Sequence, residues 1–318
     1  MDKCKSVKVV LIGGGSGLAV VLKGLKRFNF DISAIVTMTD DGQSSGRIRK
    51  AGVFSPPGDI RKCITSLASD EELLTKLFEH RFKSIRGLNG HSLGNLILIA
   101  LTEITGSFEQ AIAATSSILK INGEVVPSTL EDVRLGAKLE NGQIILGEKD
   151  IPVYGHRNPI CDIMTIPEKV KANPKAVQKI KEADFVIMGP GSLYTSVLSN
   201  FLIDGIKKAV QETKAKSIYI CNVSTERGET EGYSVLDHYQ QIKKYTSNLD
   251  IDYILVNNHI VTEGQEGKLG AITNIKLSSN HLNGSKVIST DLIDEENPLY
   301  HNIEKLSKNL YKIISQSH

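Results

Sequence analysis

Short apolar runs alternate along this chain with stretches whose apolar positions recur at helical spacing. Residues 7–12, apolar at every position but Lys8, read as a buried strand, and 17–28 follow with the period of an amphipathic helix. "DISAIVTMT" (31–39) predicts a second strand, ending at Asp40, Asp41 and Gly42. "PPGDIRKCITSLAS" opens a helix with Asp59 near its start, where a carboxylate suits the positive end of the helix dipole. "HSLGNLILIALTEITG" predicts a buried helix capped around Ser92, and "SFEQAIAATSSILKI" another that begins at Ser107.

The pattern changes between about 123 and 151. There "RLGAKLENGQIILGE" sets Asn141-Gly142 between alternating apolar residues, a strong hairpin signal. "ADFVIMGPGSLYTSVL" then restores strand, glycine turn and helix. "SIYICNVS" and "DYILVNN" are two more strands, with the helical "SVLDHYQQIKKYT" between them, and "NIEKLSKNLYKIISQ" closes the chain as an amphipathic helix. Alternation of this kind implies an α/β fold with a mainly parallel sheet covered on both faces. No linker or repeat divides it, so the expectation is one domain over 1–318 carrying a β-hairpin insertion at about 123–151.

Composition narrows the class. Lys and Arg total 38 against 36 Asp and Glu, a net charge of +2 that gives no reason to expect a nucleic-acid partner. No run approaches the ~20 apolar residues of a membrane span. "MDKCKSVK" passes directly into the first strand and leaves no room for a signal peptide. Cys4, Cys63, Cys161 and Cys221 lie far apart and read as reduced thiols of a cytoplasmic protein.

The candidate chemistry begins at the first turn, "IGGGSGL". Gly13, Gly14, Gly15 and Gly17 let backbone N–H groups approach an anion, Ser16 adds a hydroxyl, and the following helix offers its positive end. The dinucleotide pattern Gly-x-Gly-x-x-Gly/Ala fails in both frames, at Leu18 and at Val20, and no phosphate-loop Gly-Lys-Ser/Thr is present. Gly189, Pro190, Gly191 and Ser192 repeat the arrangement, with Tyr194 and Thr195 at the helix start. Both turns fall at carboxyl ends of strands, where open α/β sheets bind ligands, so they are expected to face one crevice. Asn222, at the end of "SIYICNVS", is counted with them.

Asp40 and Asp41 follow the second strand at a position that serves a ribose hydroxyl or a magnesium ion, and Asp59 is a third carboxylate. Ser44, Ser45, Arg47 and Arg61 supply donors for a phosphate or carboxylate. Asn89, His91, Ser92 and Asn95 cluster at a helix N-terminus, where they cap the helix or recognise a base or sugar. No Cys/His metal constellation and no Gly-x-Ser-x-Gly elbow accompanies them.

Taken together, "IGGGSGL", "TDDGQSSGRIR", "PPGDIRKC", "GHSLGNL", "GPGSLYTSVLSN" and "GYSVLDH" resemble the gluconeogenesis factor family, which is related to the 2-phospho-L-lactate transferases (CofD). The resemblance runs from residue 9 to about 258. It implies a Rossmann-like three-layer sandwich, a cytoplasmic homodimer, and binding of UDP-sugars, notably UDP-N-acetylglucosamine. It also implies a link to cell shape and to wall-synthesis proteins during gluconeogenic growth. The nucleotide loops would be 13–17 and 189–192. Carboxylates matching Asp41 and Asp59 would hold Mg²⁺ and serve catalysis in the transferase branch. That branch reads Gly-Asp-Asp and Asp-Leu-Asp-Thr where this chain has "TDDGQSSG" and "PGDIRK", and Arg227 replaces the proline of a Pro-Gly-Glu-Thr run. Two readings stay open: a nucleotide-sugar sensor, or a metal-dependent transferase that moves a phosphoryl-bearing group from a nucleotide donor to a hydroxyl acceptor, with GDP among the ligands it would bind. An NAD-like ligand is a third.

Overall fold

The structure, a computed structural model, describes residues 6–50, 56–69, 72–259, 274–277, 282 and 284–317. The opening residues, Cys4 among them, lie outside that set. In chain order the strands are β1 (Val7–Gly13), β2 (Phe30–Val36), β3 (Glu124–Pro127), β4 (Arg134–Leu139), β5 (Ile144–Leu146), β6 (Ile160–Ile166), β7 (Phe185–Met188), β8 (Lys216–Ile220), β9 (Tyr253–Asn257) and β10 (Lys286–Thr290). Seven of them make one parallel sheet in the order β10-β9-β8-β7-β1-β2-β3, and β5-β4-β6 make a small antiparallel sheet.

The long apolar runs explain the architecture. Val9, Val10, Leu11 and Ile12 are at most 2% exposed, as strands covered on both faces require. The first helix, α1 (Gly15–Leu25), buries Leu18, Val21, Leu22 and Leu25, one face at helical spacing. After α2 (Gln43–Lys50) comes α3 (Pro57–Leu67), and α1 packs between α3 and the C-terminal helix Ile303–Ser317. Winding runs outward from β1 through β2 to β3, then returns to β7 on the other side of β1 and continues to β10. The direction therefore reverses between β1 and β7. In a Rossmann-like sheet that reversal opens a crevice beyond the carboxyl ends of the two strands.

Four sequence expectations change in detail. The second strand stops at Val36 rather than running to 39, because Thr37 and Thr39 turn their hydroxyls to each other (3.0 Å) and Thr37 also meets the Ser199 hydroxyl (3.0 Å). The antiparallel insertion lies further along the chain than 123–151. Residues 124–127 form the parallel edge strand β3, whereas the Asn141-Gly142 hairpin acquires a third strand that ends at Ile166. The helix α5 (Leu93–Thr105) is capped by Ser92 as expected but buries only Gly94, Asn95 and Leu98. One side packs on α3, α4 (Glu72–Glu79) and α6 (Phe108–Ile118), and Ile104 on the other side stands 78% exposed. Finally, the helix expected after "GPGS" is irregular: a π-helical turn over Leu193–Val197 passes into a 3-10 turn over Leu198–Leu202. Ser199 and Asn200 side chains donate back to the carbonyls of Thr195 and Ser196, competing with regular backbone bonding.

Cys63, Cys161 and Cys221 are free thiols. Among the described residues no helix is long and apolar enough to cross a membrane. The α1 seam is expected to dominate stability on this face of the sheet. Leu22→Ala should cost about 2–5 kcal/mol in urea unfolding, because its fully buried site cannot collapse between α3 and the terminal helix.

Candidate functional site

At the reversal, β1 hands the chain to α1 through Gly14, and β7 leads into the 189–192 turn. The turns touch. A Cβ on Gly17 would lie 2.5 Å from the carbonyl oxygen of Pro190 and 2.8 Å from the backbone nitrogen of Gly191, an approach open only to glycine. Asn222 shapes the second turn, its Oδ1 accepting the Gly191 N–H (3.2 Å) while its Nδ2 donates to the Gly191 carbonyl (2.9 Å). Gly13 closes β1, and its carbonyl accepts from Thr37 N–H (2.9 Å) and Asn200 Nδ2 (3.2 Å). Between the turns opens a cavity of about 340 Å³, with Gly14, Gly15, Ser16 and Gly17 on one side and Pro190, Gly191 and Ser192 on the other.

The other walls of this cavity are acidic. Asp40, Asp59, Glu148 and Glu226 line it, and Lys62 is the lysine among its described lining residues. Asp59, 4% exposed, accepts the Gly15 N–H through Oδ2 (2.7 Å) and the Lys62 ammonium through Oδ1 (3.1 Å). Its carboxylate thus sits where the N-terminus of α1 would receive an anion. Burial holds the Asp59 carboxyl above its usual range; Lys62 opposes this in part and Asp40 adds to it. Burial also works to lower Lys62, but Asp59 beside it outweighs burial and raises it. Asp40 accepts from the Gly42 N–H (2.8 Å) and from the Ser45 hydroxyl (2.6 Å). The Oε2 of Glu148 is shut away from solvent without a partner, and burial among neighbouring carboxylates raises that acid well above its ordinary value. On the far wall, burial pushes His301 down to about 4, and its Nε2 meets the Cys221 carbonyl at 3.2 Å.

The remaining predicted residues lie elsewhere. Arg61 donates from Nε to Asn95 Oδ1 (3.0 Å), Asn95 donates from Nδ2 to the Ser44 hydroxyl (3.0 Å), and Ser44 meets His91 Nδ1 (3.0 Å). Arg47 donates to the Asn89 carbonyl (2.6 Å), and Ser92 caps α5 by accepting the Asn95 N–H (3.4 Å). This network ties α3 and α5 to the 44–47 segment outside the cavity wall, and only Ser45 reaches the cavity, through Asp40. Burial holds His91 low, with Arg47 and Arg81 adding to the effect. Asp41 turns toward the insertion, where its Oδ1 accepts the Lys149 N–H (2.7 Å). Tyr194 and Thr195 face inward: Glu229 accepts both of their N–H groups (2.9 and 3.3 Å) and the Thr195 hydroxyl (2.8 Å).

Four residues of the site escape the sequence reading: Lys62, Glu148, Glu226 and Glu229. Lys62 follows Arg61 directly and carries no signal of which side chain faces the crevice. Glu148 is the last residue of the hairpin segment, and nothing local shows that the insertion folds back over the turns. Glu226 and Glu229 stand in the flagged "ERGET" run, whose glycine was the available signal. Gly228 has φ +79°, and a Cβ there would collide with the Pro152 carbonyl, so this turn is clamped against the insertion.

Among the described residues, no three His, Cys, Asp or Glu side chains converge on a point that would hold a metal ion. A magnesium-type ion needs fewer protein ligands, one or two carboxylates completed by ligand phosphates. Asp59 and Glu148, both carboxylates that line the cavity, are of the kind that requirement asks for.

Residues 9–293 match the family described as "2-phospho-L-lactate transferase CofD". A "Gluconeogenesis factor" of Halalkalibacterium halodurans is 39% identical over 311 residues, covering 96% of this chain and 95% of that protein. A "Gluconeogenesis factor" of Bacillus subtilis is 45% identical over 256 residues, 80% of each chain. A crystal structure of a Bacillus halodurans protein superposes with a TM-score of 0.92 at 40% identity, covering 96% of this chain and 100% of that one.

The contact between the turns is directly testable. Gly17→Val should cost about 1–3 kcal/mol in urea unfolding, because the Pro190–Gly191 backbone must retreat. Ser16→Ala, at an exposed neighbouring position, should stay within about 0.5 kcal/mol.

Proposed function

This chain belongs to the CofD family, and we propose that it is a nucleotide-sugar-binding protein whose crevice seats the diphosphate of a ligand such as UDP-N-acetylglucosamine. The carrying observation is the contact of two glycine turns at the strand reversal, with a cavity of about 340 Å³ between them. The two turns present main chain to that space from two sides, and α1 points its positive end at the same space. The Gly15 N–H is held by Asp59 and the Gly191 N–H by Asn222. In this reading the protein is a sensor: the nucleotide sugar reports supply to cell-wall synthesis and cell shape during gluconeogenic growth, as a homodimer in the cytoplasm. The name carried by its relatives supports the metabolic setting.

The acidic wall favours a second reading, a transferase of a phosphoryl-bearing group. Asp59 and Glu148 would hold a divalent cation beside the turns, and Asp40, braced by Ser45, would lie next to it. Such a cation offsets charge on a diphosphate and on a departing phosphate. The protein's own part is to fix the phosphates on the turns and to keep Asp59 poised between the Gly15 N–H and Lys62. The dinucleotide reading is disfavoured by the failed glycine pattern.

Calorimetric titration with UDP-N-acetylglucosamine, UDP-glucose, GDP and NAD, each with and without Mg²⁺, separates these readings when ligand recovery is followed by chromatography. The expected result is binding of a UDP-sugar that is recovered intact. Magnesium-dependent GDP binding, or consumption of the ligand, would replace the sensor with the transferase. Asp59→Asn should then lower turnover by on the order of 10²–10³.

A further inference from the structure

Lys62 stands on the crevice side of α3, three residues beyond Asp59, and its ammonium meets Asp59 Oδ1 at 3.1 Å. The other oxygen, Oδ2, accepts the Gly15 N–H (2.7 Å), and a Cβ on Gly14 would come within 2.9 Å of it. The carboxylate therefore lies against the first glycine turn, with the lysine on its far side. An ammonium has three donors. Asp59 is the partner of Lys62 among the described residues, so two donors remain on a half-buried side chain that lines the cavity.

An anion seated over the first turn meets this carboxylate at close range, where like charges withdrawn from water repel strongly. The arginines do not relieve that repulsion. Arg61 is turned to Asn95 and Arg47 to the Asn89 carbonyl, both outside the cavity wall. His301, on the far wall, is held neutral by burial. Lys62 is the cationic side chain left among the described lining residues. Its place, on a carboxylate at the edge of the glycine turn, is the one a magnesium ion takes when it joins a carboxylate to ligand phosphates. Asp41, which the resemblance pairs with Asp59 as a metal ligand, accepts the Lys149 N–H instead.

Resting on the reading that this crevice seats a nucleotide diphosphate, we infer that Lys62 is a ligand-binding residue whose ammonium bridges Asp59 and a phosphate oxygen, in the place of a divalent cation. The chain thus carries its own counter-charge beside the acid that guards the first turn. Recognition of the diphosphate is then independent of Mg²⁺.

The test is calorimetric titration with UDP-N-acetylglucosamine, in EDTA and in Mg²⁺, of wild type, Lys62→Met, Lys62→Arg and the double variant Asp59→Asn/Lys62→Met. Wild type should bind in EDTA with an affinity that Mg²⁺ leaves unchanged. Lys62→Met, similar in length but uncharged, should bind on the order of 10–10²-fold more weakly in EDTA. Mg²⁺ should recover most of that loss, because Asp59 is left open to a cation. Lys62→Arg should bind without Mg²⁺, as wild type does. The double variant has neither charge of the pair, and Mg²⁺ should not alter its affinity.

Wild-type binding that requires Mg²⁺, or Lys62→Met that matches wild type in EDTA, overturns the proposal and leaves the phosphate reading standing. So does a loss in Lys62→Met that Mg²⁺ fails to relieve, which is what a merely structural lysine would give. Thermal unfolding without ligand checks that each variant is folded. Where Lys62→Met is not, wild type and the double variant decide alone, and Mg²⁺ dependence of either overturns the proposal. Absence of binding by wild type in both buffers would overturn the phosphate reading itself, and this contact with it.

Discussion

Everything at the functional end of this molecule depends on one close approach, the backbone of Gly17 against the Pro190–Gly191 peptide. A parallel sheet that reverses its winding leaves two strand ends side by side with nothing to fill the gap above them. Here the gap is bounded by two glycine turns, one feeding α1 and one feeding the irregular 193–202 segment. Because Gly17 and Gly191 carry no Cβ, main chain meets main chain at the contact. The same contact explains why Asn222 bonds Gly191 through both of its amide atoms: a turn pressed from one side has to be held from the other.

Electrostatics then set the terms on which an anion enters. Backbone donors and the α1 dipole favour a phosphate, yet four carboxylates share the walls with a single described lysine. Such a crevice is not a generic anion hole. Asp59 already holds the Gly15 N–H, so a phosphate at that point has to displace it or meet it through a cation or a proton. Glu148 and Glu226, each with an orphaned oxygen, are the two acids most readily neutralised by a proton. On either proposed reading, entry of a diphosphate would require charge compensation, whether or not a reaction follows. This coupling is common to the sensor and the transferase, and it explains why acidic walls alone do not choose between them.

Much of this was legible in the sequence. The continuous apolar runs gave the parallel sheet, the paired glycine turns gave the crevice, and Asn141-Gly142 gave the hairpin, because each depends on residues adjacent in the chain. What local pattern could not supply was the direction of side chains on one element. Asp59, Arg61 and Lys62 lie within a single turn of α3, but Asp59 and Lys62 face the crevice while Arg61 faces Asn95 on α5. Asp40 and Asp41 divide in the same way, one to the cavity and one to Lys149. Polar residues of the "GHSLGNL" run, read as capping the helix or recognising a base or sugar, bond α5 to its neighbours outside the cavity wall.

The insertion has the least visible role and a strong structural one. It reads as a hairpin appended to the domain, yet it reaches the crevice at two places. Its 147–149 loop delivers Glu148 to the cavity wall and draws Asp41 aside. Its short helix Ile151–Gly155 packs so closely on Gly228 that neither Gly155 nor Gly228 has room for a Cβ. Gly228 sits between Glu226 and Glu229, so the glutamates that brace the second glycine turn are themselves braced by the insertion. The small sheet thus acts as a third wall and as the clamp on the second.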